Sequence, residues 1–348
     1  MGPSVLSAKS LASRYWNEYT ETMERERLDA LHLTRIRRLL AYAYARVPFY
    51  RDLYGRAGFK PEDIRTLDDF NTIVPAIDKK DLVEAQQLAP PWGTAAALPE
   101  DFNLFRFQTS GSTGVPMAIP VSYYSSHHYG EQWTYGFWAV GMRPPDSFYF
   151  AFTWGTFIGF WSAYWGVRRL GATVYSGGGV NTEMRLRQIL ELRPTVLVST
   201  PTYALAMAEK ARELGIDLPK TSIRWTYHAG EPGGNIPTTR RAIEEAWGAR
   251  TYELYGIGEV GAIAPGCPLQ LGVHLAEDQS YATVVDPETG RPVGEGEVGE
   301  NLVTSYIQFS QPAIKYRSHD LVRLVRKRCE CGRTWMLFEG GVLGRTDH

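Results

Sequence analysis

This sequence of 348 residues has few cysteines and almost balanced charges. We also find no apolar leader at its amino terminus. Its three cysteines, an odd number, fit reduced thiols in the cytoplasm better than a disulfide framework. Lysine and arginine total 37 against 38 acidic residues, so no basic surface for a nucleic acid is expected. We therefore predict a cytoplasmic location and a small-molecule partner, with no nucleic acid.

One uncharged stretch, SFYFAFTWGTFIGFWSAYWGV at 147–167, is about long enough to span a bilayer. Gly155, Gly159 and Gly166 interrupt it, and its aromatic residues run through the centre instead of gathering at two interfaces. The same residues suit a buried strand, a glycine-rich turn and an apolar helix. We predict that arrangement and no membrane association.

Three kinds of pattern succeed one another along the chain. Residues 1–103 carry apolar positions at helical spacing, whereas strand-like and helix-like runs alternate over 104–265. Such alternation predicts an α/β fold with a largely parallel sheet, in which ligands bind beyond the carboxyl ends of the strands. Residues 266–345 read as strands joined by turns, which predicts a smaller β-rich subdomain.

The segment FQTSGSTGVPMAIP at 107–120 gathers hydroxyl side chains around Gly111 and Gly114. One interpretation is a flexible surface turn. The other is a phosphate-binding loop, in which glycines free the backbone so that amide and hydroxyl groups converge on phosphate oxygens. No lysine follows the second glycine, so such a site would depend on neutral donors and on a metal held elsewhere.

A second glycine-rich segment, YELYGIGEVG at 252–261, holds Tyr255 and Glu259 four residues apart. Glu259 is a candidate ligand for that metal. Taken alone, the segment fits a surface carboxylate on a flexible loop at least as well.

Together, several segments resemble the adenylate-forming acid–CoA ligases, in particular their phenylacetate–CoA ligase branch. TSGSTGVP (109–116) resembles the phosphate loop of the family, HAGEP (228–232) its adenine-contacting segment, and YELYGIGEVG its tyrosine–glutamate motif. KYRSHD (315–320) resembles the ribose-binding aspartate motif and LGRTD (343–347) the hinge. The order and spacing match over nearly the whole chain. The resemblance implies the large N-terminal domain of an adenylate-forming enzyme, with mostly parallel sheets flanked by helices and a smaller β-rich subdomain.

The resemblance also implies a role for each matching residue. Glu259 would hold Mg²⁺, Tyr255 would pack on the adenine beside Gly256, and Asp320 and Arg345 would contact the ribose. Glu259, Thr109 and Ser112 would carry the catalytic work, and Asp347 would be the hinge. The remaining nucleotide contacts would come from two short segments, comprising Thr109, Ser110, Gly111, Ser112, Thr113 and Gly114 on the phosphates and Gly230, Glu231 and Pro232 on the adenine.

The implied reaction is ATP-dependent activation of a carboxylic acid, followed by thioester formation with coenzyme A. Val115 stands where many relatives carry lysine. The chain stops at His348, so we expect residues 346–348 to begin the hinge and the small C-terminal domain of the family to be missing. Transfer to an amine or a carrier protein, and a nucleotide-binding module without turnover, stay open as alternatives. Branch relatives often pair, which makes a homodimer possible.

Aromatic residues form 13% of the chain, and many lie within 123–165, where the family lines its acyl pocket. A flat aryl acid would stack on such side chains, although core packing is the favoured interpretation of each one taken alone. Trp154 is the first candidate because it lies in the glycine-flanked TWGTF turn. The others are Tyr135, Trp138, Phe152, Phe157 and Phe160, with His228, Ala229 and Gly256 from the two motifs.

The three cysteines and one histidine share a possible explanation. Cys267 lies seven residues before His274, and Cys329 and Cys331 form a Cys-x-Cys pair. Three thiolates and one imidazole make a closed tetrahedral set, which suits structural Zn²⁺. Buried free thiols beside an unrelated histidine are the alternative. A bound zinc ion would tie the loop after Glu259 to the strand before the hinge.

Overall fold

A computed structural model describes residues 11–97, 102–109 and 114–346. The first of these ranges is helical, as the apolar spacing predicts. Local chemistry sets the helix limits: Pro48 opens one helix directly after another ends, and the side chains of Thr66 and Asp78 cap two more. The helices are α1 (Glu18–Glu21), α2 (Arg25–Arg46), α3 (Pro48–Ala57), α4 (Leu67–Ile73) and α5 (Lys79–Leu88).

Two antiparallel strands, β1 (Asn103–Gln108) and β2 (Ala118–Ser122), flank residues 109–114, which we call the hydroxyl-rich segment. The ladder ends where Gln108 lies opposite Ala118. One more bond follows, from the Thr109 amide to the Met117 carbonyl at 2.9 Å. Thr109, the first residue of the hydroxyl-rich segment, is therefore held by this hairpin.

The central sheet is parallel, and its strands follow the order β4-β3-β5-β6-β7. Its short strands are mostly apolar and largely buried because helices cover the sheet. The predicted α/β class is confirmed, and the uncharged stretch 147–167 forms a strand, a loop and most of a helix. In chain order the elements are α6 (Tyr123–Ala139), β3 (Ser147–Phe150), α7 (Ile158–Leu170), β4 (Thr173–Ser176), α8 (Thr182–Leu192), β5 (Val196–Ser199), α9 (Pro201–Glu213), β6 (Trp225–His228), α10 (Pro237–Trp247) and β7 (Arg250–Glu253).

The rest of the described chain is antiparallel. A hairpin of β8 and β9 precedes a five-stranded sheet of order β10-β14-β13-β12-β11. The strands are β8 (Tyr255–Ile257), β9 (Gly261–Ala264), β10 (Gly272–His274), β11 (Ser280–Val285), β12 (Val298–Ser305), β13 (Tyr316–Val325) and β14 (Leu337–Arg345).

The amino-terminal helices pack on the antiparallel sheet. Leu40 and Tyr50 share one buried cluster with Val303, Leu324 and Phe338. The pairing changes from parallel to antiparallel between Glu253 and Tyr255, before the predicted limit at residues 265–266, and the division into domains stays a prediction. Across the described ranges, every helix is too short or too polar to cross a membrane.

Candidate active site

A cleft of about 1030 Å³ lies beyond the carboxyl ends of β6 and β7. Its walls come from the parallel sheet, the antiparallel sheet and the start of α5. This is the position that a parallel sheet predicts for a ligand site. The cleft brings together most of the motif residues: Val115, Gly230, Glu231, Pro232, Tyr255, Gly256, Glu259, Asp320 and Arg345.

Glu259 lies in the turn between β8 and β9 and is only 7% exposed. One carboxylate oxygen accepts a hydrogen bond from the Tyr316 hydroxyl on β13. Burial, followed by the charge of Glu259, raises the pKa of Tyr316, so this hydroxyl stays protonated and donates. Within the described part of the chain the second carboxylate oxygen has no hydrogen-bond partner, and Glu259 lines the cleft. Such an oxygen suits a hard divalent cation.

Asp320 on β13 accepts hydrogen bonds from two sides. The Tyr255 hydroxyl donates to one carboxylate oxygen at 2.6 Å, and the Arg345 guanidinium donates to the other at 3.0 Å. Burial, followed by the charge of Asp320, raises the pKa of Tyr255. Asp320 and Arg345 lie opposite each other in the β13–β14 ladder, so the sheet register brings them together.

Two carboxylates fix the segment Gly230–Pro232 that follows β6. The Glu231 carboxylate accepts a hydrogen bond from the Thr202 amide at 2.8 Å. Glu253, at the end of β7, accepts from the amides of Gly233 and Asn235 at 3.0 and 2.9 Å. Burial raises the pKa of Glu253 to about 7. The loop therefore presents its backbone to the cleft in a defined conformation.

The hydroxyl-rich segment is described at its two ends only. At one end, the Thr109 hydroxyl accepts a hydrogen bond from the Met117 amide at 3.0 Å. At the other end, Gly114 has a φ of 126°, and Val115 lines the cleft. Ser110, Gly111, Ser112 and Thr113 lie outside the described residues, as does Asp347.

Three of the predicted acid-pocket residues form one aromatic group after β3. Phe152 stacks on Phe160 with ring centroids 4.0 Å apart, and Trp154 meets Phe152 edge-on at 5.1 Å. The Trp154 indole donates to the Ser176 hydroxyl at 2.6 Å. Phe157, in the same loop, is 57% exposed. The amide of Gln108 donates to the Thr156 carbonyl at 2.9 Å, which joins this loop to the start of the hydroxyl-rich segment.

Two other predicted acid-pocket residues lie on α6 and are buried. Tyr135 is buried, donates its hydroxyl to Asp278 at 2.5 Å and packs edge-on against Trp335. Trp138 is also buried and donates to the carbonyl of Ser13 at 3.0 Å. Both are core residues of α6 and do not line the cleft, because nearly every side of this helix is covered.

His228 is likewise a core residue. Its ring nitrogens meet the Ser199 carbonyl at 3.0 Å and the Thr226 hydroxyl at 2.9 Å. Burial lowers the pKa of His228 to about 4, so the imidazole is neutral. Its side chain does not line the cleft, and Ala229 beside it is 8% exposed. Of the three candidates from the two motifs, only Gly256 lines the cleft.

The cysteines and His274 converge at the edge of the antiparallel sheet. One potential ligand atom from each residue, Cys267, His274, Cys329 and Cys331, lies within 4.8 Å of all the others. The Cys267 and Cys329 sulfurs are 4.0 Å apart, and the Cys331 sulfur is 3.4 Å from His274 Nε2. His274 Nδ1 lies 3.0 Å from the Trp335 carbonyl, which needs a donor there and so leaves Nε2 as the coordinating atom.

Several cleft residues were not predicted from the sequence. Asp78, Lys79 and Lys80 line the cleft at the start of α5, together with Glu253 and Tyr316. The sequence carries one local signal for the first group, because Asp78 followed by two lysines is a helix start with cations in its first turn. No local sequence pattern indicates that this helix start lies near β13, which comes much later in the chain.

The chain belongs to the AMP-binding enzyme family, whose model matches residues 28–310. The phenylacetate-coenzyme A ligase of Thermus thermophilus is 34% identical over 332 residues, which cover 94% of this chain and 72% of that protein. The Escherichia coli enzyme of the same name is 32% identical, with 88% of this chain and 69% of that protein covered. These relatives confirm the predicted resemblance to the phenylacetate–CoA ligases.

Solved structures give the same result. An open conformation of 2-hydroxyisobutyryl-CoA ligase, in complex with 2-HIB-AMP and CoA, superposes with a TM-score of 0.92 at 30% identity. The match covers 97% of this chain and 79% of that one. The fold is therefore that of an acid–CoA ligase.

Proposed function

We propose that this chain activates a carboxylic acid with ATP to an acyl-adenylate, from which coenzyme A takes the acyl group as a thioester. The observation that carries the proposal is the cleft, where Glu259, Asp320 and the loop Gly230–Pro232 lie together beside Val115. The names of the relatives, phenylacetate-coenzyme A ligase and 2-hydroxyisobutyryl-CoA ligase, support the same reaction.

The reaction has two steps. In the first, a carboxylate oxygen of the acid bonds to the α-phosphorus of ATP, and the bond to the β-phosphate bridging oxygen breaks to release pyrophosphate. In the second, the thiolate of coenzyme A bonds to the acyl carbon and AMP leaves. Acid and triphosphate are both anionic, so the site must offset their repulsion while it aligns them.

Glu259 fits a magnesium ion because it lines the cleft, and Tyr316 holds one of its carboxylate oxygens while the other has no partner among the described residues. Mg²⁺ bound there would offset the charge of the triphosphate. The hydroxyl-rich segment, Thr109 to Gly114, would donate hydrogen bonds to the phosphates. Glu259, Thr109 and Ser112 are thus the proposed catalytic residues.

With the phosphates between Glu259 and the hydroxyl-rich segment, the adenine and the ribose would meet the remaining cleft residues. Tyr255 would pack on the adenine beside Gly256 and the backbone of residues 230–232. Asp320, already fixed by Tyr255 and Arg345, would accept the ribose hydroxyl groups. A carboxylate held by two donors keeps its orientation when the sugar enters, so little rearrangement is needed.

The ribose contact leads to a prediction for Asp320→Asn. We expect the unmodified chain to bind ATP about tenfold more tightly than 2′,3′-dideoxy-ATP, since a hydrogen bond to a charged group contributes about 1.5–3 kcal/mol. In the variant this preference should largely disappear. Calorimetric titration of both nucleotides measures it, and a preference that survives the substitution would remove Asp320 from the ribose site.

For the acid we propose an aryl side chain. Phe152, Trp154 and Phe160 present aromatic surface after β3, and the bond from Gln108 to Thr156 keeps their loop beside the hydroxyl-rich segment. An aryl ring would stack there with its carboxylate directed towards the phosphates.

Trp154→Ala tests the aryl pocket. The KM for an aryl acid should rise about tenfold, the effect of losing one buried aromatic contact, whereas the KM for ATP should not change. Pyrophosphate exchange with a panel of aryl and aliphatic acids measures both constants. Thr153→Ala, at an exposed position in the same loop, shows whether loop flexibility alone explains the result. Exchange with aliphatic acids only would refute the aryl proposal.

We propose structural zinc for the cysteine cluster. Zinc–sulfur bonds of about 2.3 Å place tetrahedral ligand atoms about 3.8 Å apart, close to the spacing of the Cys267 and Cys329 sulfurs. Arg333 is buried and donates to the Cys331 sulfur at 3.7 Å, which offsets the negative charge of three thiolates. We also propose that two chains pair as a homodimer and that the protein is located in the cytoplasm. None of the three cysteines forms a disulfide, which agrees with a reducing compartment.

A further inference from the structure

Lys315 is a buried cation that the proposed chemistry does not use. It directly precedes β13 and is 8% exposed. Its ammonium donates to the carbonyl oxygens of Asn71 and Val74 at 2.5 and 2.8 Å, and a third carbonyl, that of Phe70, lies 3.5 Å away. Burial lowers the pKa of Lys315 to about 8, so the ammonium is still mainly charged at neutral pH.

These carbonyls belong to the last turn of α4 and the residue after it. Carbonyl groups at the end of a helix lack partners within the helix, and the helix dipole favours a cation there. Lys315 supplies both the partner and the charge. It therefore holds the end of α4 from a strand that lies more than two hundred residues later in the chain.

The backbone of Lys315 also contacts the other end of the segment that joins α4 to α5. Its carbonyl accepts a hydrogen bond from the Ile77 amide at 3.1 Å, and the Arg317 amide donates to the Ile77 carbonyl at 2.8 Å. Lys315 adopts a φ of 53°, a conformation that residues other than glycine rarely adopt and that tends to occur at functional sites. Both ends of the α4–α5 connection are thus fixed on one residue.

That connection leads directly into the cleft. Asp78 caps α5 one residue after Ile77, and Asp78, Lys79 and Lys80 form one wall of the cleft. On the other side of Lys315, Tyr316 holds the carboxylate of Glu259. The start of α5 and the Tyr316–Glu259 pair are therefore both connected to Lys315.

We propose that Lys315 is a positioning residue of the nucleotide site, which sets the start of α5 relative to the Tyr316–Glu259 pair and thereby determines the affinity for Mg²⁺-ATP. The inference rests on the proposed function. Lys315 does not touch the nucleotide, and its effect passes through the two walls that it joins.

The test compares full chains carrying Lys315→Met, which keeps the aliphatic stem and removes the donors, and Lys315→Arg, which keeps a cation. We expect about tenfold weaker Mg²⁺-ATP binding for the methionine variant and partial recovery with arginine, both measured by calorimetry. Amide hydrogen exchange over 74–82 should become faster in the methionine variant. Trp247→Phe, which loses a buried contact on the far side of the parallel sheet, serves as a control with lowered stability and unchanged affinity.

The outcomes are separable. If the unmodified chain does not bind Mg²⁺-ATP, the proposed function fails, and this inference fails with it. If it binds and folded Lys315→Met binds equally well, only the role of Lys315 is refuted. Should the methionine variant not fold, Lys315→Gln makes the same comparison, and an affinity equal to that of the unmodified chain would again overturn the proposal.

Discussion

Glu259→Gln should reduce ATP–pyrophosphate exchange by about a thousandfold, since a bound metal ion supplies several kcal/mol of charge stabilisation and each tenfold in rate is about 1.4 kcal/mol. The amide keeps the shape of the side chain and can still meet the Tyr316 hydroxyl, so the fold should be unaffected. Only the negative charge beside the cleft is lost. Exchange rates and the Mg²⁺ dependence of ATP binding measure the effect.

Tyr316→Phe is the matched control. It leaves the carboxylate charged and removes only the hydrogen bond that orients it, so we expect a much smaller loss of exchange. A module that binds nucleotide without turnover behaves differently, because its ATP affinity would be largely independent of Mg²⁺ in both the unmodified chain and Glu259→Gln. That result would contradict the proposed catalysis.

Removal of zinc should lower the melting temperature by on the order of 10 °C, because structural zinc contributes directly to folding. The cluster joins the segment after β9 to the turn before β14, and Arg333 extends it to the amino-terminal part through Glu21 at 3.0 Å. Chelation and Cys331→Ser should therefore loosen the same three segments. Elemental analysis together with thermal unfolding measures the loss.

Glu330→Gln is the control for zinc, since Glu330 is exposed between the two cysteines and does not face the cluster. This variant should keep both the metal and the melting temperature. Purified protein that contains no zinc, combined with unchanged stability in Cys331→Ser, would contradict the metal site.

The parallel sheet could be predicted because its strands are short, apolar runs separated by amphipathic helices with clear caps. The strand-like run PTVLVST (194–200) forms Val196–Ser199, for example, and the helix-like run EMRLRQILELR (183–193) forms Thr182–Leu192. The grouping of Cys267 with Cys329 and Cys331 followed from coordination chemistry, which requires the four ligands to meet wherever they stand in the sequence.

The sequence did not show that three of the predicted site residues are buried, and the reason is physical. Tyr135 and Trp138 were assigned to the acid pocket because aromatic residues suit both a pocket and a core. Periodicity could not separate the two interpretations, since α6 is buried on nearly every side. His228 lies in a strand-like run, SIRWTYHAG at 222–230. The sequence does not reveal that Ser199 and Thr226 form hydrogen bonds with its ring inside the sheet.

The contacts of Lys315 and Tyr316 could not be predicted because they depend on tertiary structure. Lys315 meets residues 70–77 only after α4 packs against the antiparallel sheet, and Tyr316 meets Glu259 only after the two sheets come together. Local patterns carry no information on such pairs.

The central claim is that the hydroxyl-rich segment and Glu259 face each other across a magnesium-bound nucleotide. A crystal structure of the chain with ATP and Mg²⁺ tests it most directly. We expect the phosphates between Ser112 and Glu259, the adenine against Gly230–Pro232 and the ribose on Asp320. A nucleotide bound elsewhere, or Ser112 and Glu259 on opposite sides of the molecule, would contradict the claim.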